Sequence, residues 1–298
     1  MLTLSELIDQ LLNVRKLPTI SNVALILEQS LSQEEPEIQH VSSIISDDPA
    51  ITSMVLKLAN SATYGARRTI SSVQEAVMRL GFQEIRKMVV ALALVEYMSD
   101  KQFDILDPLE FFRHSIGVST GMEVINSMSG IVQENSNQLY VIGLLHDLGR
   151  WVSANYMTEV HQHILPEDNP GDVNQDIIEL ERKNIGLDHA QIGAALLECW
   201  GLPLPIVQGV RFHHEPHAAP KAQRTMTRLI YLVDNICLMN RIGDSGEGSA
   251  RNIKESNWKQ VGLSSDTEEQ ILQEIKLKLE QSEVILSIGG DVNQKTGE

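Results

Sequence analysis

Apolar residues recur three and four positions apart along nearly the whole chain, the spacing of one face of a helix. Leu7, Ile8, Leu11 and Leu12 form the first such stripe, behind a Thr3/Glu6 capping box, and it ends near Leu17-Pro18. Ser21 caps a second stripe of Val23, Ala24, Ile26 and Leu27, and Ile38, Val41, Ile44 and Ile45 make a third. Asp48 followed by Pro49 reads as an N-cap with proline at the first helical position, leading into Ile51, Met54, Val55, Leu58 and Ala59. Ser72 with Glu75 opens another helix that stops at Gly81. A further helix spans about 82–98, and its middle, Met88 to Val95, is apolar on every side and predicts burial. No stretch alternates apolar and polar residues over a useful distance, so strands are not expected.

Asp107-Pro108 repeats the cap-and-proline pair and starts a helix through Phe111, Phe112, His114, Ile116, Val118 and Met122. After the polar turn 134–137 comes the apolar segment 139–145, then helices around 151–164, 174–184, 188–200, 203–214 and 222–241. The Gly/Ser-rich stretch 243–249 reads as a mobile loop. A last helix over 266–286 carries Ile271, Ile275, Leu279 and Ile285, and the tail 291–298 reads as disordered. The fold class is all-α. Its expected parts are an N-terminal helical region over 1–105, a second helical region over 106–242, and a loop with a C-terminal helix over 243–298.

Composition narrows the function classes. A net charge of -16 opposes binding along a phosphate backbone, and the basic spots Arg67-Arg68 and Arg86-Lys87 are small. No apolar run approaches bilayer length, and no basic region precedes an apolar core at the N-terminus, so neither a membrane span nor a signal peptide is expected. Two cysteines, Cys199 and Cys237, make no disulfide framework; both sit in apolar stretches and read as core thiols of a cytoplasmic protein.

The candidate chemistry gathers in the second half. His146 and Asp147 sit at the polar end of the apolar segment 139–145. Polar groups carried into apolar surroundings need hydrogen-bond partners or a metal. His114, His189, His213 and His214 lie in apolar helices or at their ends, and Asp234 interrupts the apolar run 229–233. A lone histidine on such a helix is ordinarily a hydrogen-bonded core residue, and Asp234 alone could cap a helix or pair with Arg228 or Arg241; the clustering changes that balance. Adjacent helical side chains point about 100° apart. His213-His214 can therefore share one site only if the helix ends there, which Pro216 implies, and His146-Asp147 only if Gly149 ends theirs. Adjacent ligands are also natural around two ions bridged by Asp147. His40, His161, His163 and His217 lie in polar surroundings and read as surface residues, while Trp151 and Trp200 read as packing.

The spacing His114, His146-Asp147, Asp234 resembles the HD superfamily of metal-dependent phosphohydrolases. The chain from about Leu17 to Asp234 more specifically resembles the HDOD family. The residues that carry the likeness are 17–20, 45–50, 58–65, 70–76 with Leu80-Gly81, 144–150, 193–203 and 211–216. The resemblance implies an all-helical fold and a role in bacterial signal transduction. The HDOD family is in turn similar to the HD-GYP cyclic-dinucleotide phosphodiesterases. That similarity implies that His114, His146, Asp147, His189, His213, His214 and Asp234 bind a divalent metal, as two ions of iron, manganese, zinc or nickel, the types that suit imidazole and carboxylate. Two departures stand out. Arg150 occupies the place of a lysine, and after Glu215 the chain reads Pro-His-Ala-Ala-Pro without the Gly-Tyr-Pro recognition segment. Two functions follow: a signalling module that binds a protein partner or a nucleotide, or a phosphohydrolase with Asp147 bridging the ions and Arg150 holding a phosphate oxygen. A nucleic-acid role is disfavoured by the charge.

Overall fold

The computed structural model describes residues 22–33, 35–61, 69–99, 106–133, 136–156, 177–248 and 250–280. Expectations for 1–21, for the helix beyond 156 with His161 and His163, and for the tail lie outside these residues. All regular structure among the described residues is helical. The helices are α1 (Asn22–Leu31), α2 (Ile38–Ser46), α3 (Pro49–Ala59), α4 (Val73–Ser99), α5 (Pro108–Ser129), α6 (Leu139–Leu145), α7 (Leu148–Tyr156), α8 (Ile177–Asn184), α9 (His189–Cys199), α10 (Leu204–Arg211), α11 (Arg224–Met239), α12 (Glu255–Gln260) and α13 (268–280).

The chain divides into two compact units, 18–100 with 201–203 in one and 101–200 with 204–279 in the other. In the first, the anticipated caps are formed: Asp48 accepts from the Ile51 amide at 3.1 Å and Ser72 from the Glu75 amide at 3.2 Å. Gly81 breaks α4 with φ 79°, so the expected stop is a kink within one long helix. The Val41, Ile45, Val55, Ile85 and Leu94 side chains are sealed in the core of this unit. Within it, Arg86 meets Glu28 at 3.0 Å, both side chains 2% exposed. The Arg86-Lys87 basic spot is thus no cationic surface: one member is buried in an ion pair, and Lys87 pairs with Glu84 at 3.1 Å.

In the second unit, Asp107 caps α5 through the amides of Leu109 and Glu110. α5 runs beside α6 so closely that a Cβ at Gly143 would overlap the Ser119 backbone. α11 crosses α5 at Gly121, against Val233. The α6–α7 break falls at His146 and Asp147 themselves. Gly149 is therefore not a terminator but lies in the first turn of α7, where a Cβ would overlap the His189 carbonyl and the Gly193 amide of α9. Only glycine allows the α7–α9 approach that brings His189 next to Asp147. Trp151 is buried and tilts against Phe111, with ring centroids 5.4 Å apart. Cys237 is buried as expected, whereas Cys199, on the last turn of α9, is exposed.

Candidate metal centre

Three helices and two turns deliver the histidines and aspartates to one place in the second unit. α5 brings His114, the α6–α7 break brings His146 and Asp147, and α11 brings Asp234. An Asp188/Gln191 capping box starts α9 with His189 at its first position. α10 ends at Arg211, so His213 and His214 fall in the turn after it, and adjacency no longer forces them apart. His114, His146, Asp147, His189 and His213 have no measurable exposure, Asp234 is 1% exposed and His214 7%.

The donor atoms form two groups. Asp147, His189, His213, His214 and Glu247 make one, and His114, His146 and Asp234 the other; within each group the donors lie within 4.8 Å of one another. Asp147 faces both. Its Oδ1 is 3.5 Å from the Nε2 atoms of His189 and of His213. Its Oδ2 is 3.1 Å from His146 Nε2 and 3.7 Å from His114 Nε2. Asp234 Oδ1 closes the second group at 3.2 Å from His114 Nε2 and 3.7 Å from His146 Nε2.

The imidazoles are oriented from behind. His146 Nδ1 donates to the Gly143 carbonyl at 2.7 Å, His213 Nδ1 to the Val210 carbonyl at 2.6 Å, and His114 Nδ1 to the Ile242 carbonyl at 3.3 Å. A carbonyl can only accept, so each neutral ring carries its proton on Nδ1 and presents a bare Nε2 lone pair inward. His189 does the same through Glu181, whose Oε2 accepts from both its Nδ1 at 2.6 Å and its backbone amide at 2.8 Å. Such outward partners are what metal-ligating histidines require.

Of the inward atoms, the His189 and His214 Nε2 atoms meet each other at 2.7 Å, and most of the others have no ordinary partner. His114, His146 and His213 Nε2, both Asp147 oxygens, Asp234 Oδ1 and Glu247 Oε1 are buried without a hydrogen bond of sound geometry. Buried polar atoms left in this way are costly, and so many at one point fit a divalent cation far better than a core network. Electrostatics agree. Burial opposes a charged imidazole, yet Asp147 and Asp234 lift His146 well above the usual histidine range, and Glu181 and Glu247 do so for His189. Burial also opposes the Asp147 carboxylate, but His146, His213 and His189 hold it well below the carboxylate range. His213 is pushed down to about 4 by burial and by its neighbour His214. A pocket that draws protons onto its imidazoles draws other cations too.

All seven residues picked from the sequence as ligands are brought together. Two others were missed. Glu247 lies in the stretch expected to be mobile, but its Oε1 stands 3.0 Å from His189 Nε2 and 2.9 Å from His214 Nε2. The glycines around it marked a loop, and no pattern placed that loop in the interior. Glu181 sits on short α8 amid charged neighbours, and only its complete burial marks it. Arg150 is fully buried, with Nη1 on Glu181 at 3.2 Å and Nη2 on the Gly246 carbonyl at 2.8 Å.

This is an all-helical domain organised around a buried histidine–aspartate cluster, the hallmark of HD-type proteins. Residues 17–216 match the HDOD domain family, and the chain belongs to it. A crystal structure of an HDOD domain protein of unknown function from Geobacter sulfurreducens is 26% identical, with a TM-score of 0.71 over 97% of both chains. A protein from Marinobacter aquaeolei VT8 whose name proposes signal transduction is 22% identical, with a TM-score of 0.75 over 95% of this chain and 60% of its own. A protein from Shewanella amazonensis SB2B whose name proposes a phosphohydrolase is also 22% identical, with a TM-score of 0.68 over 96% of this chain and 97% of its own. An uncharacterized protein of Treponema pallidum (strain Nichols) is 24% identical over 209 residues, which are 68% of this chain and 38% of that protein. YuxH of Bacillus subtilis (strain 168) is 36% identical over 67 residues, 22% of this chain and 16% of its own. The chain thus spans well under half the length of these two relatives. Among the described residues no helix is long and apolar enough to cross a membrane.

Proposed function

We propose that this chain is an HDOD signalling module that holds two divalent ions in its second unit and acts by binding a protein partner or a nucleotide, not by turnover. The supporting observation is the sealing of the donor set: six of the eight donor residues are 0–1% exposed. A phosphoester has to reach an ion from solvent, and catalytic metal sites keep a position open for it, whereas closed sites serve structure. His114, His146 and Asp234 would hold one ion, and His189, His213 and His214 with Glu247 the other. Asp147, whose two oxygens face the two groups, would contribute to holding both. The donor set lacks thiolate, which suits iron, manganese, zinc or nickel.

A phosphohydrolase is the second reading, favoured by the completeness of the donor set around Asp147. Bound ions of this kind supply Lewis acidity and a hydroxide at neutral pH. Separating the two takes protein loaded with iron or manganese and offered cyclic dinucleotides and nucleotides. The binding-module reading expects no turnover above background. Hydrolysis near the ~10 s⁻¹ typical of enzymes, lost in Asp147→Ala, would overturn it.

A further inference from the structure

Glu247 is carried by the loop 242–248, and that loop is held at both ends by the residues that flank the centre. Gly243 sits at φ 66° against the α5 backbone, where any Cβ would overlap the His114 amide. The Asp244 amide donates to the Glu110 carbonyl at 3.0 Å, and the Asp244 carboxylate accepts from the Gly246 amide at 2.8 Å. Arg150 grips the Gly246 carbonyl with one amino group and Glu181, the partner of His189, with the other. Beyond the loop, the Arg251 amide donates to Asn235 Oδ1 at 2.6 Å, next to Asp234, and its guanidinium to the His214 carbonyl at 3.3 Å. The segment that follows packs inward through Trp258, Ile271 and Ile275, all within 1% of full burial.

We propose that Glu247 is a metal ligand that makes the loop 242–248 a metal-dependent latch, coupling occupancy of the centre to the order of the C-terminal segment. The inference rests on the metal reading above. Glu247 Oε1 is buried without a hydrogen bond and points between two imidazole nitrogens, as a ligand does. It also shares the pocket with Asp147 and Asp234. Three carboxylates in a low-dielectric space repel one another unless a cation lies among them. Two of the three are fixed on the α6–α7 break and on a helix. The third is carried by the loop, so its repulsion from the other two is the one that loop movement can relieve, and loss of the cation loosens the loop and the chain after it.

The test is hydrogen exchange and metal titration on the full chain, manganese-loaded and chelator-treated, for the wild type and Glu247→Gln, with Glu247→Ala as a second variant if the first is poorly folded. Chelation of the wild type should speed exchange of the 243–248 and 250–260 amides and leave α4 of the other unit unchanged. Glu247→Gln should weaken binding of one ion by at least the ~10–100-fold that loss of an outer-shell partner costs, and its loop should exchange fast with or without manganese. A wild-type chain that binds no manganese overturns both the centre and the latch. A chain that binds manganese with loop exchange indifferent to chelation, or a Glu247→Gln variant that binds as tightly as the wild type, overturns the latch alone.

Discussion

The two units bury charge in opposite ways. In the first, one acid meets one base: Glu28 and Arg86 are sealed together at 3.0 Å, and the pair is electrically neutral by itself. In the second, Asp147, Asp234 and Glu247 converge with inward-facing imidazoles, four of them held from behind by carbonyls and Glu181. Within that set only protons taken up by the imidazoles can balance the carboxylates. Arg150, the buried cation nearest in sequence, is spent on Glu181 and Gly246. A matched pair stabilises or costs a little and does nothing more; an unmatched set asks for something from outside the chain.

The comparison breaks most decisively at the shared carboxylate. Asp147→Ala removes the only donor among the described residues that faces both groups, and metal analysis should find both ions lost, not one. Retention of a full complement would mean that Asp147 does not bridge. In the first unit, Arg86→Met leaves Glu28 buried without its base and should cost about 3–5 kcal/mol in denaturant unfolding, whereas Glu28→Leu with Arg86→Met together should recover most of it. Burial already raises the Glu28 pKa above its ordinary 4.5, Arg86 and Ser32 pulling it back only in part. A raised carboxyl pKa favours folding at low pH and loses that contribution as pH rises through the folded value. The Arg86→Met penalty should therefore shrink on acidification from neutral pH toward 4.5; a penalty that grows instead would show that Glu28 stays ionised.

Glu181→Gln keeps the shape of the His189 partner but removes its charge, and metal affinity should fall by roughly 10–100-fold with the fold intact by circular dichroism. Protons also compete for the centre. Asp147 and Asp234 raise the pKa of His146 against the effect of burial, and Glu181 and Glu247 that of His189, so these rings must give up protons to bind metal. Apparent affinity should weaken steadily from about pH 8 to about pH 6, and a flat profile would mean that these imidazoles are not ligands.

The helices were legible because their signals are local. Asp48-Pro49, Ser72 with Glu75 and Asp107-Pro108 each form the cap that their side chains predict. The seven histidines and aspartates were legible as polar residues in apolar surroundings, a signal that survives without coordinates. What failed was anything decided by contacts far along the chain. Glu247 and Arg150 lie 97 positions apart, yet the residue before Glu247 holds Arg150. Gly149 looked like a stop because glycine so often is one; its actual use is the approach of α9, which only tertiary packing reveals. Arg86 and Cys199 exchanged expected places for the same reason. One cation is buried because Glu28 lies 58 positions away, and one thiol is exposed because α9 turns its last residues outward.

The central claim is that the second unit is built to hold two cations. Elemental analysis of wild-type protein purified without chelator, beside Asp147→Ala, tests it most directly. Close to two transition-metal ions are expected per wild-type chain and none in the variant. A folded wild-type chain that carries no stoichiometric metal and takes up none on dialysis against iron, manganese, zinc or nickel would contradict it.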